Sequence, residues 1–173
     1  IKFDSIKIKS LKSKENFLFA HGIAETHEQA YWYTKGKTDL PDIINGRLFT
    51  YDFPDATTQF WRINFSQTGL GQFNEVMGLK KAYDKAIFKL DQITDSDKNL
   101  ILIGMSRGAT TILNFLGTCK PKRVKAVIVE SPFDSTRTLV KNGLSKVYLD
   151  KFPYVIDFFH KSMWLIFNKH STN

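Results

Sequence analysis

Residues 99–117 read NLILIGMSRGATTILNFLG, and the fold of the chain turns on how this stretch is read. Leu100, Ile101, Leu102 and Ile103 form an unbroken apolar run, the pattern of a strand buried on both faces of a parallel sheet. Gly104-Met105-Ser106-Arg107-Gly108 follows and fits G-x-S-x-G. Beyond it, Ala109, Ile112, Leu113 and Leu116 recur at helical spacing. Gly117 stands where a helix end favours a left-handed residue. The serine therefore belongs on a turn between a buried strand and a helix, the setting a nucleophile elbow requires.

Chemistry accounts for the spacing. A serine nucleophile must stand clear of its own sheet on a tight, strained turn, and side chains two positions to either side would clash there. Such a turn aims the amide of Arg107 and the positive end of the helix at a developing oxyanion. Three fixed positions of this kind arise by chance in roughly one chain in twenty of this length. The motif alone thus leaves open a glycine-rich turn in a Rossmann-like or flavodoxin-like domain. The agreement of strand, turn and helix favours the nucleophile.

Composition sets the bounds. One domain is expected for 173 residues, and 42% apolar content is ample for a core. The single cysteine, Cys119, excludes an intramolecular disulfide and a zinc cluster built on several cysteines. A net charge of +8 comes mostly from scattered lysines, without the basic stripe and interleaved aromatics of a nucleic-acid binder. No signal peptide or twenty-residue apolar span is visible, so a cytoplasmic protein without a transmembrane segment is expected. The chain opens on Ile1, which leaves open a leader removed before it.

Strands and helices alternate along the chain. The alternation in residues 1–11 reads as an outer strand, and residues 17–20 as a short buried strand ending in His21-Gly22-Ile23. Thr26 with Gln29 is a capping-box signal for a helix carrying Tyr31, Trp32 and Tyr33. Residues 35–45 read as a loop and 46–51 as a strand ending in Asp52-Phe53-Pro54-Asp55. The irregular segment 56–71, with Phe60, Trp61, Ile63 and Phe65, should pack under the sheet edge or line a pocket. Phe73, Val76, Tyr83, Ile87 and Leu90 keep a helical period. After Pro121, residues 124–129 read as another buried strand leading into Glu130-Ser131-Pro132-Phe133-Asp134. The expected fold is α/β, a mostly parallel sheet with helices on both faces.

With these pieces in order the chain resembles the α/β-hydrolase superfamily. The resemblance rests on His21-Gly22, on Asp52-Phe53-Pro54-Asp55, on the elbow from Gly104 to Gly108 and on Glu130 to Asp134, and it covers roughly two thirds of the chain. It implies a strand order near 48, 18, 102 and 127, with the winding reversed between the second and third. It also implies an oxyanion hole from the amides of Ile23 and Arg107, with Gly22, Gly104 and Gly108 as the motif glycines. The Arg107 side chain is left open, facing either the site or the sheet.

The tail departs from that pattern. The family's chain order is serine, acid, histidine, each after a later strand. Beyond Asp134 the sequence shows two helical patterns, residues 135–149 and 152–167, and no further buried strand. This divides the chain into a partial core over residues 1–134 and a helical, lid-like tail over 135–173. Asp134 with His160 is a conceivable triad pair. The plainer alternative makes Asp134 a helix cap and His160 a lid-surface residue. His21 reads as loop packing, His27 as solvated in a first helical turn, and His170 follows the serine.

Three functions compete. The first is a serine hydrolase for an ester or other acyl substrate, small or lipid-like, acting through Ser106 without metal or cofactor and incomplete as it stands. The second is a non-catalytic relative kept as a binding or interaction module. The third, a nucleotide-binding domain, lacks the G-x-G-x-x-G or Walker lysine pattern after a strand. The apolar stretch 152–167 is too short and too charged to span a membrane, so it is expected to be a lid that needs the missing strands, or a surface for a partner, a second copy or a lipid interface.

Overall fold

A computed structural model describes residues 3–7, 15–23, 25–30, 46–53, 73–93, 97–146 and 148–167. Five strands form one sheet in the order β1-β3-β2-β4-β5. They are β1 (Phe3–Lys7), β2 (Glu15–Ala20), β3 (Gly46–Tyr51), β4 (Leu100–Met105) and β5 (Val124–Glu130). β1 runs antiparallel to β3, and every other pairing is parallel. The strand order expected near 48, 18, 102 and 127 is the order found. The winding reverses between β2 and β4, so the loops after these two strands flank the crevice where open α/β sheets place ligands.

Strand periodicity sorts the core into two layers. Leu18 and Ala20 of β2, Phe49 and Tyr51 of β3, and Leu100 and Leu102 of β4 share one cluster with Val76, Leu79, Ala82, Ile112 and Phe115. The helices covering that face are α1 (Phe73–Asp91) and α2 (Arg107–Cys119). Phe17, Phe19, Leu48 and Ile103 pack on the other face with Ala30. The Thr26 hydroxyl accepts from the Glu28 amide at the start of the helical turn that carries Ala30. Tyr31, Trp32 and Tyr33, the loop 35–45, Pro54, Asp55, the segment 56–71 and His170 lie outside the described residues.

The base of the sheet is fixed by polar contacts. The buried Asn16 amide donates to the Asp97 carbonyl at 2.6 Å, which sets the start of β2 beside that of β4. Lys98 Nζ donates to the carbonyls of Leu90 and Ile93 and satisfies the end of α1. Arg123 pairs with Asp91 at 2.9 Å and donates to the Lys98 carbonyl, fastening β5 to the same end.

Four local expectations are corrected. α2 runs through Gly117 to Cys119, and Lys120 takes the left-handed cap with φ 45°; helical packing carried the chain past the glycine. Phe73 keeps its helical place as the first residue of α1 but is 69% exposed rather than facing the core. β5 is not buried: Lys125, Ala126, Ile128 and Glu130 are exposed, since β5 is an edge strand among the described residues. The N-cap of α3 (Thr136–Ser145) is Ser135, whose hydroxyl accepts from the Thr138 amide, rather than Asp134. α4 (Pro153–Phe167) packs on α3, with Val140 and Ile156 buried and Arg137 paired with Asp157 at 2.7 Å. Tyr154 and Phe158 remain exposed on α4. Among the described residues no helix is long and apolar enough to cross a membrane.

Candidate active site at the strand-to-helix turn

Ser106 occupies the turn between β4 and α2 with φ 49° and ψ −113°, a conformation costly for a residue with a side chain. Its amide donates to the Glu130 carbonyl at 2.9 Å, and its carbonyl accepts from Thr110 at 3.1 Å. Both main-chain groups are therefore held by neighbouring elements. The hydroxyl makes no capping bond to its own helix, although serine at an N-cap ordinarily does.

The glycines make this turn fit. A Cβ on Gly104 would lie 2.8 Å from the Ala109 backbone and 2.7 Å from Ile112 Cδ1, so only glycine lets α2 fold back onto β4. A Cβ on Gly108 would lie 2.1 Å from the Ala20 carbonyl oxygen, so the first turn of α2 rests directly on the end of β2. Gly22 is less constrained, because its Cβ would meet only the flexible Glu25 carboxylate.

The loop after β2 is fastened from several sides. His21 is fully buried, and its Nε2 accepts from the Phe53 amide at 3.2 Å. That bond places the ring proton on Nδ1, which donates to the Gly22 carbonyl at 2.8 Å. The Gly22 amide donates to Glu25 Oε2 at 2.6 Å. Asp52, at the end of β3, accepts from the His27 amide at 2.6 Å and pairs with His27 Nδ1 at 2.8 Å. His27 is thus not a solvated residue: a carboxylate delivered by tertiary structure claims both its backbone and its ring.

The Arg107 side chain, left open by the sequence, turns inward and is 1% exposed. Its guanidinium stands 4.4 Å over the Phe53 ring and donates through Nη2 to the Gly22 carbonyl at 3.3 Å. Tyr51 and Glu75 are buried nearby. Burial pushes the Tyr51 hydroxyl well above its usual range; Arg107 opposes this rise and Glu75 adds to it. The phenol therefore stays neutral.

Ser106, Arg107, Gly22 and Ile23 are thus assembled at one end of the sheet, around the switch in strand order. Asp134 is exposed just before α3 and His160 half-buried on α4; among the described residues no hydrogen bond links them. Thr110 Oγ1 bonds the Phe133 backbone on both sides and holds the loop after β5 against α2. Among the described residues no group of histidine, cysteine and carboxylate side chains is suited to a metal ion. Sequence reading missed the carboxylates of Glu25 and Glu75, and it singled out Asp52 at a strand end without its partner His27. Glu25 sits four residues after the motif histidine, but nothing local marks what it or Asp52 will bind.

No protein-family model and no curated protein sequence matches the chain. Solved structures do. The peroxisomal alpha-beta-hydrolase Lpx1 from Saccharomyces cerevisiae is similar with a TM-score of 0.52 and 19% identity, over 76% of this chain and 36% of that one. A putative non-heme bromoperoxidase, BpoC, from Mycobacterium tuberculosis has a TM-score of 0.50 at 13% identity, over 85% and 47% of the two chains. Est816, described as an N-acyl homoserine lactone degrading enzyme, has a TM-score of 0.50 at 12% identity, over 99% and 68%. The chain spans well under two thirds of the first two neighbours. Strand order, elbow and these likenesses together show that the chain has the α/β-hydrolase fold.

Proposed function

We propose that the protein is a serine hydrolase acting on an ester or other acyl substrate through Ser106. The observation that carries this reading is the strained Ser106 backbone, with a hydroxyl not engaged in capping the helix it opens. Strain of this kind persists only where surrounding structure over-determines it, and here Glu130 and Thr110 do so. In the reaction Ser106 Oγ would bond to the acyl carbon and lose its proton to a base. The carbonyl oxygen would take up negative charge facing the amides of Ile23 and Arg107 and the N-terminus of α2. Residues 1–134 would form the catalytic core, and 135–173 a lid-like tail whose exposed Tyr154 and Phe158 offer an apolar surface. Neither a metal nor an organic cofactor enters this scheme.

A second reading, a non-catalytic binding module on the same fold, draws support from the histidines. Among the described residues none is hydrogen-bonded to Ser106: His21 is committed to Gly22 and Phe53, and His27 to Asp52. Incubation with a fluorophosphonate, followed by peptide mass analysis, separates the two. A phosphonyl adduct on Ser106 that disappears in Ser106→Ala supports the hydrolase. No adduct after prolonged exposure to millimolar probe leaves the binding module.

A further inference from the structure

We infer that Arg107 is a positioning residue whose side chain aims the Ile23 amide, so that one residue supplies one oxyanion donor and orients the other. This deepens the serine-hydrolase reading and rests on it. The argument starts from the planarity of the peptide unit. The Gly22 carbonyl and the Ile23 N–H belong to one trans peptide, and they point in opposite directions. Whatever fixes the carbonyl oxygen fixes the direction of the N–H.

Two buried donors fix it. His21 Nδ1 donates to the Gly22 oxygen at 2.8 Å and Arg107 Nη2 at 3.3 Å. The His21 ring is itself locked by the Phe53 amide at its other nitrogen. The Arg107 guanidinium is held over the Phe53 ring at 4.4 Å, a cation–π contact strengthened by exclusion of water. The preceding peptide is anchored in turn, its Gly22 N–H donating to Glu25 at 2.6 Å. The Gly22–Ile23 peptide thus cannot rotate without breaking its bonds to the His21 ring and to the Arg107 side chain on α2.

The charge matters as well as the geometry. A cationic donor on a carbonyl polarises its peptide and makes the attached N–H a stronger donor, and it acts here in a low-dielectric setting. The contact also spans the crevice, since Arg107 opens α2 after β4 while Gly22 follows β2. The relative placement of the two amides is therefore set by a side chain belonging to one of them.

The test compares the wild type with Arg107→Met and Arg107→Lys, using a fluorophosphonate probe. Labelling forms the Ser106 Oγ–phosphorus bond and breaks phosphorus–fluorine; fluoride leaves and the serine proton passes to a base or water. Arg107→Met keeps its main-chain amide, so we expect the limiting phosphonylation rate to fall about 10–100-fold. The half-saturating probe concentration should change less than about twofold, and Arg107→Lys, which keeps a cationic donor, should recover part of the rate. A general loss of structure would not give that split. An unchanged limiting rate in a folded Arg107→Met protein overturns the inference.

Should the wild type not label at all, the hydrolase reading fails, and the positioning claim is still decided by NMR. The Gly22 carbonyl carbon and the Ile23 amide nitrogen, both sensitive to hydrogen bonding at that carbonyl, should shift in Arg107→Met and shift back toward wild type in Arg107→Lys. If Arg107→Met does not fold, the wild type suffices: the Arg107 guanidinium protons should exchange with water at least tenfold more slowly than those of Arg137, which is exposed. Equal exchange, or an unmoved Gly22 carbonyl, overturns the inference.

Discussion

Gly108 and Ala20 touch through backbone alone: a Cβ on Gly108 would stand 2.1 Å from the Ala20 carbonyl oxygen. That contact seats the nucleophile's helix on the neighbouring strand and brings the elbow beside the loop that carries Gly22. The obstructing atom is main chain, so no rotamer change can make room. Gly108→Ala should destabilise the protein by about 3 kcal/mol or more, measured by urea unfolding. A loss below about 1 kcal/mol would mean that α2 can lift from β2 freely.

Ser106 carries a backbone conformation suited to glycine, with φ 49° and ψ −113°. Ser106→Gly should therefore stabilise the fold by about 0.5–2 kcal/mol, the released strain less the greater entropy of glycine in the unfolded chain. Ser106→Ala keeps the Cβ and should bring no such gain. Thermal unfolding of the two variants side by side checks this; equal melting temperatures would refute a strained elbow.

Phosphonylation of the wild type should be slow. A serine hydroxyl without a bonded base reacts weakly, and loss of triad members costs several orders of magnitude in rate. Rapid labelling abolished by His160→Ala would instead establish a pair of Asp134 and His160. Rapid labelling that survives His160→Ala and His170→Ala, yet is lost in His27→Ala, would move the base to the Asp52–His27 pair.

Acid sensitivity should show at the base of the sheet. Hydrogen bonds from the Asn99 backbone, then from the Asn99 and Lys125 side chains, hold the Asp97 carboxyl below its usual range. A depressed carboxylate contributes stability above its unfolded pKa of about 3.9, and that contribution is lost as pH falls through the lower folded value. Asp97→Asn should therefore flatten the fall in stability below about pH 4. Because the group is well solvated, the effect at neutral pH should stay under about 1 kcal/mol. Identical acid unfolding curves for the two proteins would count against this role.

The order of the strands was implied by the resemblance to the α/β-hydrolase superfamily, not by any local pattern. The sequence itself marked the strands and the turn that bears Ser106 through local rules: period-two and period-3.6 apolar patterns, and glycines where no Cβ fits. It placed α2 after the elbow but ended the helix at Gly117, because glycine marks a stop only when packing does not carry the helix onward. It read β5 as buried from its apolar composition, whereas burial of a strand depends on what lies beside it. His27 looked solvated from its place in a first turn, until β3 delivered Asp52 from 25 residues away. The inward course of Arg107, the neutral tautomer of His21 and the grip on the Gly22 carbonyl were decided by tertiary structure alone. Each is a contact between segments distant in the chain, and its energy exists only once the sheet has brought their strand ends together.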